Sequence, residues 1–206
     1  MWCSSPSRAE PGLVRRAWPG LLALALCGPV LASTQDLPPS AAAQVAGLTG
    51  GHPQLPGSRL QGQALLRFFG LQVYQAQLWT RSDFRPETMA QQPLVLELQY
   101  LRDLKGRSIA ERSLEEMRRA GAFSEDQGRR WLTEMQRIFP DVKAGDRLTG
   151  LHQPGQGAVF WHNARPAGRV EDALFAQLFF GIWLAPTTSE PNMRLALLGL
   201  QGQGGR

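Results

Sequence analysis

Four residue types are scarce in this 206-residue chain, and each scarcity removes chemistry. The two cysteines, Cys3 and Cys27, fall in an N-terminal stretch that reads as a cleavable leader, which would leave the remainder without a thiol. That excludes a disulfide framework, thiol catalysis, a thiolate metal site and covalent haem attachment. The three histidines, His52, His152 and His162, show no i, i+4 pairing, and neither His-Glu-x-x-His nor Gly-x-Ser-x-Gly occurs. Zinc-enzyme and serine-hydrolase chemistry therefore has no motif to rest on. Lysine is limited to Lys105 and Lys143, and tyrosine to Tyr74 and Tyr100.

A long apolar run is also missing. In residues 1–32, Arg8, Arg15 and Arg16 precede the apolar segment Leu21 to Leu26, and Val30-Leu31-Ala32 resembles a cleavage site. Gly28 and Pro29 break the run well short of the roughly 20 residues a membrane-spanning helix needs. The segment reads as a secretory signal, without a stable membrane anchor once cleaved. Val14 and Ala17-Trp18-Pro19 fit a twin-arginine signal poorly, and Leu26 before Cys27 is too bulky for a lipoprotein box. Export to the periplasm is the expectation.

What remains is about 174 residues, enough for one domain with an ordinary hydrophobic core. Removing Arg8, Arg15, Arg16 and Glu10 from 22 basic and 17 acidic residues leaves 19 and 16, a net charge of +3. No basic run is interleaved with aromatics, so nucleic-acid binding is not indicated. Nothing in the sequence implies a cofactor or addresses the oligomeric state.

Residues 33–57, rich in Ala, Pro, Gly and Ser, read as a poorly ordered lead-in with one short strand around Gln44 to Leu48. Order is expected from near Arg59. A single domain over 58–200 follows, with a flexible tail at 201–206. Two strand-like runs between Gln61 and Thr80 meet near Gly70, and Leu94 to Leu101 alternates, with Leu94, Leu96, Leu98 and Tyr100 on one face. Ser108 to Ala120 is a helix whose Arg112/Glu116 and Glu115/Arg119 pairs read as a solvated face. Ser124-Glu125-Asp126-Gln127 is a capping box before a second helix that ends at Pro140.

Strands return at Arg147 to His152 and Ala158 to His162, and Asn163-Ala164-Arg165 turns the chain toward a third at Gly168 to Val170. Residues 172–184 form an apolar helix, and a last helix spans Glu190 to Leu198 with Ser189 as its cap. The pattern is α+β, with helices on one face of an antiparallel sheet.

Candidate chemistry is sparse. Asp141 and Asp146 could be drawn as hard-cation ligands, but Pro140 and Gly145 explain the segment as a turn. His162, beside Trp161 and Phe160, is the best acid–base candidate, against a plainer reading as a polar residue entering a turn. Arg67, between Leu66 and Phe68, and Arg59 near the start of the same strand are candidate carboxylate clamps, because a guanidinium offers two parallel charge-assisted bonds. Tyr74 or Tyr100 could add a phenol donor. Trp79, Trp131, Trp161 and Trp183 read as core or cavity lining.

Several segments together resemble the bacterial, exported chalcone isomerase-like family. They are Phe69-Gly70-Leu71-Gln72-Val73-Tyr74-Gln75-Ala76-Gln77-Leu78-Trp79, Leu98 to Gly106, Ile138 to Asp146, and the Asp172 to Leu184 helix followed by Thr187 to Gly199. The resemblance runs from about Gly57 to Gly199. It implies an open-faced β-sandwich, a curved antiparallel sheet covered by helices, with a ligand cleft between the layers.

In the plant enzymes that cleft uses an early arginine, a threonine before a Val-Tyr pair, a tyrosine and a late hydroxyl. Here the three hydroxyl positions fall on Phe69, Ile109 and Met193, and a neighbouring polar position falls on Glu116. The arginine survives only as Arg59, two residues out of step before Gly62. Losing such donors removes oxyanion stabilisation worth several kcal/mol each, which argues against chalcone cyclisation. Non-catalytic relatives of this fold resemble fatty-acid carriers, so the expectation is a small amphipathic ligand held by Arg59 or Arg67 with Tyr74 or Tyr100. The alternatives are an isomerase or lyase acting on an enone with relocated residues, and an envelope partner whose cleft is filled by Phe69, Ile109 and Met193.

Overall fold

Six strands follow one another in chain order across a single curved antiparallel sheet: β1 Arg59–Phe68, β2 Leu71–Thr80, β3 Leu94–Tyr100, β4 Arg147–Gln153, β5 Gly157–His162 and β6 Arg165–Val170. This computed structural model describes residues 51–201. The expected leader and the strand expected around Gln44 to Leu48 lie outside the described residues. Helices α1 (Gly106–Ala120) and α2 (Glu125–Ile138) are inserted between β3 and β4, and α3 (Ala173–Leu184) and α4 (Pro191–Leu197) follow β6. The α+β architecture read from the sequence is the one observed.

The alternation of β3 buries Leu94, Leu96, Leu98 and Tyr100, and their partners Ala76 and Leu78 on β2 are also fully buried. Against this side lies α3, whose Phe175, Phe179, Phe180 and Trp183 are all buried. A helix that is apolar nearly all round must be covered nearly all round. The sheet covers one side of α3 at β4 and β5, and α1 covers the other, with the Ala120 side chain closing on Gly181.

Side-chain caps fix the helix starts. Ser124 and Gln127 form the expected capping box, each side chain bonding the other's backbone N–H. Asp172 accepts the Phe175 N–H at 3.0 Å and Trp131 Nε1–H at 2.9 Å, so one carboxylate starts α3 and ties it to α2. Ser189 is not the cap of α4: the helix starts one residue later than expected, with Glu190 at the cap position and Pro191 opening the first turn. Order also begins earlier than expected. Residues 51–58 fold into a turn bridged between His52 and Leu55, with His52, Leu55 and Ser58 buried.

The other face of the sheet carries a polar row, Gln63, Gln77, Glu97, Thr149 and Trp161, in register across five strands. Glu97 accepts from Thr149 Oγ1 at 3.2 Å, is paired with Arg147, and lies 3.5 Å from His52 Nε2. Burial pushes this carboxyl up, but His52 and Arg147 more than offset it and hold it below its ordinary range.

Candidate functional site

Where β2 and β3 meet the helices, the two tyrosines stand directly opposite one another. Tyr74 pairs with Tyr100 in the ladder, and their rings meet edge-on with centroids 5.9 Å apart. Both belong to the helix-facing alternation of their strands. Trp183 of α3 donates its Nε1–H to Tyr74 Oη at 2.9 Å, which fixes that phenol against the helix layer.

Tyr100 is only 2% exposed, yet among the described residues neither phenol donates a hydrogen bond to the protein. Burial holds both hydroxyls far above their ordinary ionisation range, with the Trp183 hydrogen bond offsetting part of the effect at Tyr74. Both therefore stay neutral donors at any physiological pH. Two adjacent O–H groups can bind one carboxylate or carbonyl oxygen.

The charged groups whose fields reach Tyr74 are Glu190, Glu116 and Arg112. Glu116 corrects the reading of α1 as carrying a solvated charged face. Its carboxylate is buried in line with Ala110, Ser113 and Met117, 2.6 Å from Arg112 Nη2 and 3.5 Å from Arg119 Nε. Both guanidinium groups remain mostly exposed while reaching over the carboxylate. The cation whose field reaches Tyr74 is thus on α1.

The expected clamp arginines are placed elsewhere. Arg59 is exposed at the start of β1 opposite Thr80, six residues along β2 from Tyr74. Arg67 is exposed beyond a bulge in the β1–β2 pairing. Neither forms an ion pair or a hydrogen bond with a tyrosine among the described residues. Gln61, immediately before Gly62, is the polar side chain that β1 turns inward, bonding the Leu198 carbonyl at 2.9 Å and the Thr80 hydroxyl at 3.3 Å. Gly62 has to be glycine, because a Cβ there would lie 2.1 Å from the Ala196 carbonyl oxygen of α4.

The three replaced hydroxyl positions also separate. Met193 is buried on α4 and Ile109 packs against the core from α1. Phe69 is 91% exposed in the β1–β2 turn and fills no pocket. Trp131 and Trp183 are core residues, whereas Trp79 and Trp161 are only half-buried.

His162 stands at the β5–β6 turn, 3.4 Å from Asp146 and next to Asn163. The plainer reading describes that surrounding. Asp141 is bound to Lys105 and the Gly106 N–H, and Asp146 to Asn163 and the Lys143 N–H, so both carboxylates serve turns. Two surface cavities, of about 270 and 760 Å³, lie along β5–β6 and between α2 and β6, and no tyrosine lines either.

Sequence reasoning missed Arg112 and Trp183 as neighbours of Tyr74, and Glu116 entered only through the resemblance, as a polar position of the family's site. The one signal in the residues themselves was the i, i+4 spacing of Arg112 and Glu116, which does not say which side of the helix is covered.

The comparisons with known proteins agree with the fold. A protein of Haemophilus influenzae described only as uncharacterized is 32% identical over 109 residues, which are 53% of each chain, so the match spans about half the length of that relative. A fatty-acid binding protein of Arabidopsis thaliana superposes with a TM-score of 0.56 at 14% identity, covering 72% of this chain and 94% of that one. At that identity the likeness concerns the fold. The chalcone isomerase-like family matches residues 55–199, spanning every strand and helix described above, and the chain belongs to that family.

Proposed function

We propose that this protein is exported to the periplasm and binds, without catalysis, a small amphipathic molecule such as a fatty acid between sheet and helices. The observation that carries the reading is the facing pair of phenols, buried Tyr100 and half-buried Tyr74, whose protons no described protein group accepts. A ligand carboxylate or carbonyl oxygen could accept both phenol protons at once. Arg112, whose field reaches Tyr74, would serve as the cation in place of Arg59 and Arg67, and Trp183, bonded to Tyr74, with Phe179 against it would flank an apolar tail. The superposed plant protein is named for fatty-acid binding, which supports the ligand class by analogy of fold.

The test is extraction of the protein purified from its own host, followed by mass spectrometry. A stoichiometric amphipathic molecule is expected, and it is expected to be lost from the Tyr74→Phe, Tyr100→Phe double variant with the fold intact. An empty protein that binds no added fatty acid overturns the reading. Burial of Tyr100, Met193 and Trp183 favours a second reading, a closed core with a structural or partner role in the envelope. That outcome would be an empty protein whose double variant melts at the wild-type temperature. Turnover of an enone, reduced by His162→Ala, would instead point to an isomerase.

A further inference from the structure

The β1–β2 hairpin ends in a cluster of exposed apolar side chains that neither the fold nor the ligand site uses. Phe68 is 59% exposed, Phe69 91% and Leu71 54%, and Leu65 below them is also exposed. Two consecutive phenylalanines at a hairpin tip are unusual by themselves, since isolated exposed hydrophobes need no explanation but a contiguous group does. Phe69 also has φ 48, in the left-handed region that a bulky side chain adopts only under strain. Asparagine or glycine would relieve the turn, so the aromatic ring stands there against local stability.

The charge around the tip has one predominant sign. Arg67 lies two residues before Phe69, exposed and without an ion pair among the described residues. Leu101, partly exposed, bonds the backbone of Val73 at the base of the hairpin, and exposed Arg102 follows it. Lys105 is paired with Asp141, and the nearby acid, Asp103, is engaged by the Ala144 N–H. An apolar tip flanked by two exposed arginines, Arg67 and Arg102, that form no ion pair among the described residues matches an interface of hydrocarbon beneath anionic headgroups.

We propose that Phe68, Phe69 and Leu71 insert into the surface of an anionic lipid bilayer, with Arg67 and Arg102 on the headgroups, so that the protein docks reversibly through this hairpin. This goes beyond the ligand reading and does not depend on it. The contact is peripheral: no described helix is long and apolar enough to cross a membrane.

Flotation of the full protein, as its host processes it, with vesicles of phosphatidylcholine alone or mixed with phosphatidylglycerol tests the docking. Co-flotation is expected with the mixed vesicles, declining as salt is raised. The Phe68→Ser, Phe69→Asn double variant is expected to bind at least about tenfold more weakly, and Arg67→Gln about fivefold more weakly with a shallower salt dependence. Asn at position 69 suits the left-handed turn, so loss of binding would not reflect unfolding. Amide exchange at residues 68–71 should slow on adding mixed vesicles, which localises the contact whatever the N-terminus does. Absence of flotation, equal flotation of the double variant, or a dimer abolished by Phe69→Asn without vesicle binding would each overturn the proposal. Because ligand extraction uses no vesicles, failure here leaves the carrier reading standing.

Discussion

The sheet has two hairpins with the same backbone solution and opposite chemistry. In each, a two-residue turn places both central residues at positive φ: Phe69 and Gly70 between β1 and β2, Asn163 and Ala164 between β5 and β6. That is the pattern whose twist matches the flanking strands. At the second turn Asn163 earns the conformation with its amide, accepting the Arg147 N–H and donating to Asp146, both at 2.8 Å. At the first turn Phe69 offers no such bond and is almost wholly exposed. A turn that is locally satisfied is explained by stability, whereas one built against its local preference calls for a partner.

The roots of the hairpins differ in the same sense. Phe160 of β5 sits under the helices, with ring centroids 5.1 Å from Phe179 and 5.2 Å from Phe139 and with Gly150 leaving room beside it. Tyr74 of β2 presents a hydroxyl to the interior. The largest expected effect therefore belongs to Phe160→Ala, a loss of about 3–5 kcal/mol in urea unfolding, whereas Tyr74→Phe should cost no more than about 1 kcal/mol, roughly one hydrogen bond. Equal losses would mean that both roots are simply core.

Asn163→Ala comes next. It removes two hydrogen bonds and puts a side chain with less tolerance for positive φ into the turn, an expected cost of about 1–2 kcal/mol. An unchanged unfolding midpoint would show that the polar network around Asn163 is ornamental and that the contrast with Phe69 has no energetic basis.

These contrasts were unevenly visible in the chain. Leu94, Leu96, Leu98 and Tyr100 announced β3 by period two, and Ser124 with Gln127 announced α2, because burial on one face and capping are local rules. Asn163-Ala164-Arg165 was legible as a turn for the same reason. Phe69 was not: in a motif matched by spacing it occupied a pocket position, and only the short loop from Phe68 to Leu71 moved it to the tip. The burial of Glu116 was unreadable in a different way, although the resemblance had put a polar position of the site there. All the charges on α1 but Arg118 have an opposite charge at i, i+4, and which one faces the interior depends on where α3 lies. The clamp arginine was therefore sought on β1, whereas the cation whose field reaches Tyr74 is Arg112 of α1.

The reciprocal substitution, Phe69→Asn, is expected to stabilise the protein by about 0.5–1 kcal/mol, since asparagine accepts the left-handed conformation more readily than phenylalanine. The readout is again the urea midpoint, in the absence of lipid. A destabilisation would mean that Phe69 is held by packing on Phe68, whose ring centroid is 4.5 Å away, and that the tip is not strained.

The smallest effect separates the hairpins by pH. Asp146 is held below its ordinary range by the Asn163 amide first, then by the Lys143 N–H and His162, whereas Arg67 is the one charge between Leu65 and Leu71 at the tip of the β1–β2 hairpin. A depressed carboxyl contributes stability above its unfolded value, about 3.9, and that contribution disappears as pH falls through the lower, folded value. Wild type should therefore lose its advantage over Asp146→Asn between about pH 5 and pH 3 as the carboxylate is protonated. The change should be modest because the group lies near solvent and salt screens it. A stability gap between wild type and Asp146→Asn that stays constant to low pH would place the advantage of the second turn in its backbone geometry alone, and the two hairpins would then differ only in what their tips are meant to touch.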